Sequence, residues 1–319
     1  MKRTWATMLG VAAIAAASVI STAPVSAQNF PTQRVTIVVP FGAGSVTDIM
    51  ARILADDLGK RWNQQVLVEN KPGLAGTASV AKATPDGHTI LLTSNGHTVA
   101  NLVSKSAPFD PVKDFAGITR VCSVPLYLIF HPGTPAKTLK EVIAMAKAKP
   151  GTLNFSSPGL ASTTFIAGAL FRKAAGINIV HVPFKSAPDA VTAVIRGDAH
   201  MYFAPVNLTK DLAAAGKVTA IASATAKRIP DMPQVPTFTE AGLPYVYDSW
   251  FGMLAPAGVP RPIIDKINRD VVASIKSEDV KAKMVAQFVI PVTDTPAEFD
   301  KRIKEETANL TKVFKEAGI

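Results

Sequence analysis

From Val35 onward the chain alternates short runs of β-branched residues with longer amphipathic stretches. Val35-Thr36-Ile37-Val38-Val39 is short and almost wholly apolar, the signature of a buried strand. A stretch with helical apolar spacing follows from Thr47 to about Leu58, and Val66-Leu67-Val68 then completes a βαβ unit. The same pattern predicts strands at Ile90-Leu91-Leu92, Leu153 to Phe155, Ile179-Val180-His181, Met201-Tyr202-Phe203 and Ala220-Ile221-Ala222. Helices are predicted over Leu139 to Lys147, Thr163 to Ala174 and Ala187 to Ile195. Strands separated by helices imply parallel sheets covered on their faces. Beyond Pro256, apolar residues at Ile263, Ile264, Ile267, Val271 and Ile275, and then at Phe299, Ile303, Leu310 and Phe314, predict a mostly helical tail.

Two stretches, Thr119 to Phe130 and Tyr245 to Leu254, read as strands that leave one unit for another, each followed by a turn bounded by prolines. Two crossings make one domain discontinuous. The expected organisation is an α/β chain with a first domain of residues 28–124 plus 248–319 and an inserted second domain of 125–247, a hinge suited to closure on a ligand. A length of 319 residues is enough for two cores. The N-terminus reads as a secretory signal, residues 1–27: Lys2 and Arg3, an uncharged stretch from Met8 to Ile20, and Val25-Ser26-Ala27 at the cleavage positions. A membrane anchor fits less well, because the alanine-rich apolar core falls short of the ~20 residues that span hydrocarbon. The mature chain is therefore expected to be exported.

Composition narrows the function classes. Hydrophobic residues make up 48% and charged residues 18%, which excludes a disordered chain. The lone Cys122 cannot form an intrachain disulfide or a thiolate metal centre. The net charge of +10 is scattered, with no basic run longer than two and no basic stripe interleaved with aromatics, so nucleic acid is not an expected partner. A solvated cationic surface and the steering of an anionic ligand both remain open.

The strongest local motif is Phe41-Gly42-Ala43-Gly44-Ser45-Val46-Thr47-Asp48, between a strand and a helix. Its glycines allow a sharp turn that aims successive backbone N–H groups at one point, and the helix start adds partial positive charge, so the loop favours an anion. Ser45 and Asp48 have capping-box spacing and are expected to close the helix start. An ordinary strand-to-helix turn is the structural alternative. A dinucleotide-binding turn, with Glu69 as its acidic residue, fails because Thr47 stands where the third glycine belongs. A second loop, Ser156, Ser157, Pro158, Gly159, Leu160, Ala161, Ser162, Thr163 and Thr164, mirrors the first, with a hydroxyl-rich helix cap as its alternative. Two such helix starts facing each other across a cleft would close around a carboxylate. No catalytic or metal-binding motif accompanies them: the chain lacks a nucleophile elbow and a zinc-helix motif, and His88, His97, His131, His181 and His200 show no ligand spacing. No catalytic residue, metal or cofactor is assigned. A secreted hydrolase whose Ser, His and Asp assemble in the interdomain cleft stays open as the alternative.

Further motifs run along the chain: Pro40-Phe41 with Gly44 and Thr47-Asp48, Val68-Glu69-Asn70-Lys71-Pro72-Gly73 with Gly76, and Pro85-Asp86-Gly87. They continue through Phe109-Asp110-Pro111, Lys113-Asp114-Phe115, Ser157 with Gly159, His181 to Lys185, Ser249 to Gly252 and Leu254 to Gly258. Together they form a resemblance to the periplasmic solute-binding proteins of tripartite tricarboxylate transporters, the Bug family. It implies a two-domain Venus-flytrap fold, periplasmic location, membrane transporter components as partners, and a small organic carboxylate held mainly by backbone amides of the two loops; a monomer is expected. Against the family pattern, Leu160, Ala161 and Phe165 replace polar or small residues, and His200 replaces an Asp. These departures imply a carboxylate with an aromatic or aliphatic body rather than a compact dicarboxylate or citrate, with Lys185 the nearest candidate partner for a second acidic group.

Overall fold

The alternating pattern resolves, in a computed structural model that describes residues 29–104, 107–160 and 162–316, into two sheets with helices packed against them. The first sheet contains β1 (Val35–Val39), β2 (Val66–Asn70), β3 (Thr89–Ser94), β4 (Phe115–Ser123), β10 (Trp250–Pro256) and β11 (Ile290–Pro291), in the order β11-β4-β10-β3-β1-β2. The second contains β5 (Leu126–Phe130), β6 (Asn154–Ser157), β7 (Val180–Pro183), β8 (Met201–Pro205) and β9 (Thr219–Ser223), in the order β7-β6-β8-β5-β9. The helices are α1 (Val46–Trp62), α2 (Leu74–Ala81), α3 (Ala100–Val103), α4 (Leu139–Ala148), α5 (Thr163–Ala175), α6 (Ala187–Arg196), α7 (Val206–Ala214), α8 (Arg261–Lys276), α9 (Glu278–Val285) and α10 (Pro296–Glu316). The predicted signal, residues 1–27, lies outside the described residues. No helix among those described is long and apolar enough to cross a membrane.

The expectation of parallel sheets is corrected. β1 runs parallel to β2 and β3, and β6 parallel to β7 and β8, but β10 is antiparallel to both neighbours and β5 antiparallel to β8 and β9. Parallel neighbours need a crossover through a helix. β5 and β10 instead enter their sheets directly from the other sheet, so nothing forces them into the parallel direction. The chain changes sheet at Val124-Pro125 and again between Ser223 and Trp250. The two passages run side by side, with Val124 N–H donating to Ser249 O at 2.9 Å and Ala224 N–H to Leu126 O at 2.8 Å.

Each sheet is anchored by the apolar runs that predicted it. Val35, Ile37 and Val39 are fully buried beneath Met50, Leu54 and Leu58 of α1. In the second unit α5 lies so close on β6 that a Cβ on Gly168 would meet the Phe155 ring at 2.4 Å. The tail binds the units together: Phe299 of α10 packs edge-on against Trp250, while Phe314 near its far end packs against Phe165 of α5.

Candidate functional site

The geometry of the two sheets singles out two loops. In the first sheet the order reverses at β1, which lies between β2 and β3; in the second it reverses at β6, between β7 and β8. Ligands of open α/β sheets bind outside the carboxyl ends of strands at such reversals. Phe41 to Asp48 leaves β1 there, and Ser156 to Thr164 leaves β6 there.

In the first loop the side chains hold the turn rather than face outward. Ser45 caps α1 by accepting from Asp48 N–H at 3.2 Å. The buried Asp48 carboxylate accepts from Gly44 N–H at 2.9 Å, from Asn70 Nδ2 at 3.0 Å and from Arg52, so the expected capping box is displaced by one residue onto Gly44. Burial alone would raise the Asp48 carboxyl, but Arg52, Gly44 and Asn70 together hold it below its ordinary value. Phe41 packs against the core, and its carbonyl accepts from Asn70 Nδ2 at 3.1 Å. Gly42, Ala43 and Gly44 are exposed, Thr47 is buried, and Gly44 adopts a φ of +80°. What remains available is backbone: the N–H groups of Val46 and Thr47 at the start of α1 have no acceptor among the described residues.

The second loop follows the same plan. Ser162 caps α5 by accepting from Phe165 N–H at 3.1 Å and donates to Gly159 O at 2.7 Å. Ser157 accepts from Gly159 N–H at 3.1 Å and lies 2.7 Å from Nε2 of His181. Burial pushes the His181 imidazole down to about 4, so the ring is neutral near pH 7. Thr164 is buried with its hydroxyl 3.2 Å from that of Ser162. The N–H groups of Thr163 and Thr164 have no acceptor among the described residues. Gly159 adopts a φ of +116°. Ala161 lies outside the described residues.

Several expectations change here. Ser156 does not face a ligand through its side chain: it is fully buried and donates to Ala190 O of α6 at 2.9 Å. Phe165 is not a pocket residue but a core ring, 1% exposed and packed on Phe155, His181 and Phe314. His200 sits at the amino end of β8, away from the loops, where its N–H donates to Asn154 Oδ1 at 2.8 Å. Lys185 is exposed and pairs with no carboxylate among the described residues; its neighbour Phe184 donates through N–H to Ser157 O at 2.8 Å, which keeps it beside the second loop. A cavity of about 660 Å³ is lined by the two passages together with Val285 and Phe288 to Val292, and shares no wall with either loop.

Sequence reading missed a third contributor. The 3₁₀ turn Asn95–Val99 leaves β3 beside the first loop, and its buried Asn95 donates to Tyr247 OH at 2.7 Å. Tyr247 in turn reaches Thr163 Oγ1 at 3.0 Å, and Ser249 reaches it at 2.7 Å. The only sequence cue was the polar run Ser94-Asn95-Gly96-His97-Thr98 at the end of an apolar strand.

Comparison with known proteins agrees with this architecture. The family model described as "Tripartite tricarboxylate transporter family receptor" matches residues 50–319. Protein BugT of Bordetella pertussis is 32% identical over 317 residues, covering 98% of this chain and 97% of its own length. Among solved structures, R. palustris Rpa4515 with adipate is 31% identical with a TM-score of 0.80, covering 91% of this chain and 99% of its own. MatC from Rhodopseudomonas palustris with bound malate is 29% identical, with a TM-score of 0.78 over 89% of this chain and 99% of its own. The chain therefore belongs to the tripartite tricarboxylate transporter receptor family and is a solute-binding receptor with the two-domain periplasmic-binding-protein fold.

Proposed function

We propose that this receptor closes on a small organic carboxylate between the Phe41–Asp48 and Ser156–Thr164 loops and presents it, as an exported monomer, to the membrane components of a transporter without chemically altering it. Residues 28–124 with 248–319 form one closing body and 125–247 the other. The observation that carries the reading is the pairing of two helix starts at the two sheet reversals. Each keeps two N–H groups without an acceptor among the described residues, while the hydroxyls of Ser45, Ser157 and Ser162 and the Asp48 carboxylate hold the loops. A micromolar site needs about 8 kcal/mol, and four to six charge-assisted hydrogen bonds at roughly 1.5–3 kcal/mol each exceed that before association costs. No arginine is required.

Two structural neighbours carry dicarboxylates, adipate and malate. Here Leu160 stands at the loop with an exposed side chain, which favours an aliphatic body, and Lys185, held near the second loop through the Phe184–Ser157 hydrogen bond, suits a distal acid. Adipate is accordingly expected to bind better than malate or citrate. The hydrolase alternative gains little from the Ser157–His181 pair: Ser157 is fully buried, its hydroxyl is engaged by Gly159, and no carboxylate orients His181 among the described residues. Thermal melting with adipate, malate, citrate and benzoate, run beside a chromogenic ester assay, tests the reading. A rise in melting temperature with a carboxylate and no turnover supports it; ester turnover with no shift contradicts it.

A further inference from the structure

Thr163 begins α5 in the second unit, yet its hydroxyl is held entirely from the passage leading into β10, by Tyr247 and Ser249. Behind Tyr247 lies a line of groups that ends on a carboxylate. Asn95 is fully buried, and its Nδ2 faces Tyr247 OH at 2.7 Å and Glu306 Oε1 of α10 at 3.2 Å. The other carboxylate oxygen of Glu306 accepts from Trp250 Nε1 at 2.7 Å. Proton counting fixes the direction of this line. Burial pushes the Tyr247 phenol far up, so it keeps its proton; because it accepts from the Asn95 amide, that proton is free for Thr163. Asn95 holds this orientation because an ionised carboxylate only accepts. A neutral acid or an amide in place of the Glu306 carboxylate cannot accept from both Trp250 and Asn95 in the same way, since one of its two polar atoms has become a donor.

Resting on the proposed carboxylate site, we propose that Glu306, acting through Asn95 and Tyr247, is a positioning residue for ligand binding: its carboxylate orients the Asn95 amide, which sets the Tyr247–Thr163 hydrogen bond that holds the start of α5 in its binding geometry. The backbone N–H groups of Thr163 and Thr164 are those the second loop offers to the ligand, so a change in this line is felt at the carboxylate although Glu306 does not line the loop. The charged and titratable groups around Glu306 are Arg302 on its own helix and Asp248 and Tyr247 on the passage; Trp250 and Asn95 complete its surroundings with neutral donors. Burial pushes the Glu306 carboxyl up to about 7, with Asp248 adding to the rise and Trp250, Asn95 and Arg302 opposing it. The line is therefore complete above about pH 7 and loses its acceptor as the pH falls.

Isothermal titration with adipate tests this on wild type, Glu306→Gln, Tyr247→Phe, Thr163→Val and the double variant Glu306→Gln/Thr163→Val. Each single change is expected to weaken adipate by about fivefold or more, and the double variant to be no weaker than the worse single one, because both ends act through one line. From about pH 8 to about pH 6 the wild-type affinity is expected to fall toward that of Glu306→Gln, whose own profile carries only the ligand's titration. Additive losses, or parallel pH profiles, would overturn the proposal. Absence of adipate binding to wild type would count against the ligand reading alone. Amide hydrogen exchange in the first turn of α5, measured without ligand, then decides the relay separately: faster exchange in Glu306→Gln and Tyr247→Phe supports it, and unchanged exchange overturns it.

Discussion

At Gly44 and Gly159 the backbone is positive in φ, +80° and +116°, and no neighbour within 4 Å would obstruct a side chain at either position. The need for glycine is therefore conformational rather than steric. Gly44→Val and Gly159→Val are expected to cost about 1–2 kcal/mol of backbone strain each, a melting decrease of a few degrees. Either should weaken carboxylate binding by roughly tenfold or more, since the N–H groups beyond the turn would be re-aimed; calorimetry beside a melting curve separates the two effects. Glu306 supplies a second residue-scale expectation. Its folded pKa is raised, so its protonation favours the folded state: that contribution is present in full below about pH 4.5 and is lost as the pH rises through about 7. Wild type measured against Glu306→Gln should lose on the order of 3 kcal/mol of relative stability across that interval, levelling above it, as urea unfolding at several pH values would read.

Among the elements, the starts of α1 and α5 carry the proposed site, and each is set by how its helix lies on the strand before it. Gly168 lets α5 sit on Phe155 of β6. Gly168→Ala is expected to destabilise by about 1–3 kcal/mol through overpacking and to weaken ligand binding by shifting the start of α5. A variant that melts lower but binds as wild type would show that the helix adjusts along its length. Much of this level was legible in the sequence: Val35–Val39 is the observed β1, and the helix expected from Thr163 begins there. The antiparallel entry of β5 and β10 was not legible, because strand direction follows from which sheet the chain has just left. Phe165 and His200 were misplaced for a related reason. Position in a loop motif does not say whether a side chain turns inward, and the packing of Phe314 on Phe165 comes from a helix about 150 residues away. Asn95, Tyr247 and Glu306 meet only through tertiary contact, so the polar run around Asn95 gave no sign of its partners.

For the whole molecule, the chain changes sheet at Val124-Pro125 and between Ser223 and Trp250, and the proposed closure would turn about these two passages. An ion network sits on them: Arg120 binds Asp294 through Nε at 2.6 Å and through its second guanidinium arm at 2.8 Å, and it reaches Asp248 at 2.7 Å. Saturating carboxylate is expected to reduce the radius of gyration in solution scattering as the loops approach; an unchanged radius would argue for a site that is already closed. A carboxylate site built from the two loops is tested most directly by calorimetric titration of adipate, malate and benzoate into wild type and Gly159→Val. The expected result is saturable binding of at least one of these acids to wild type, with adipate tighter than malate, and its loss in the variant. Binding of equal affinity to both proteins would contradict a site built from the backbone of these two loops.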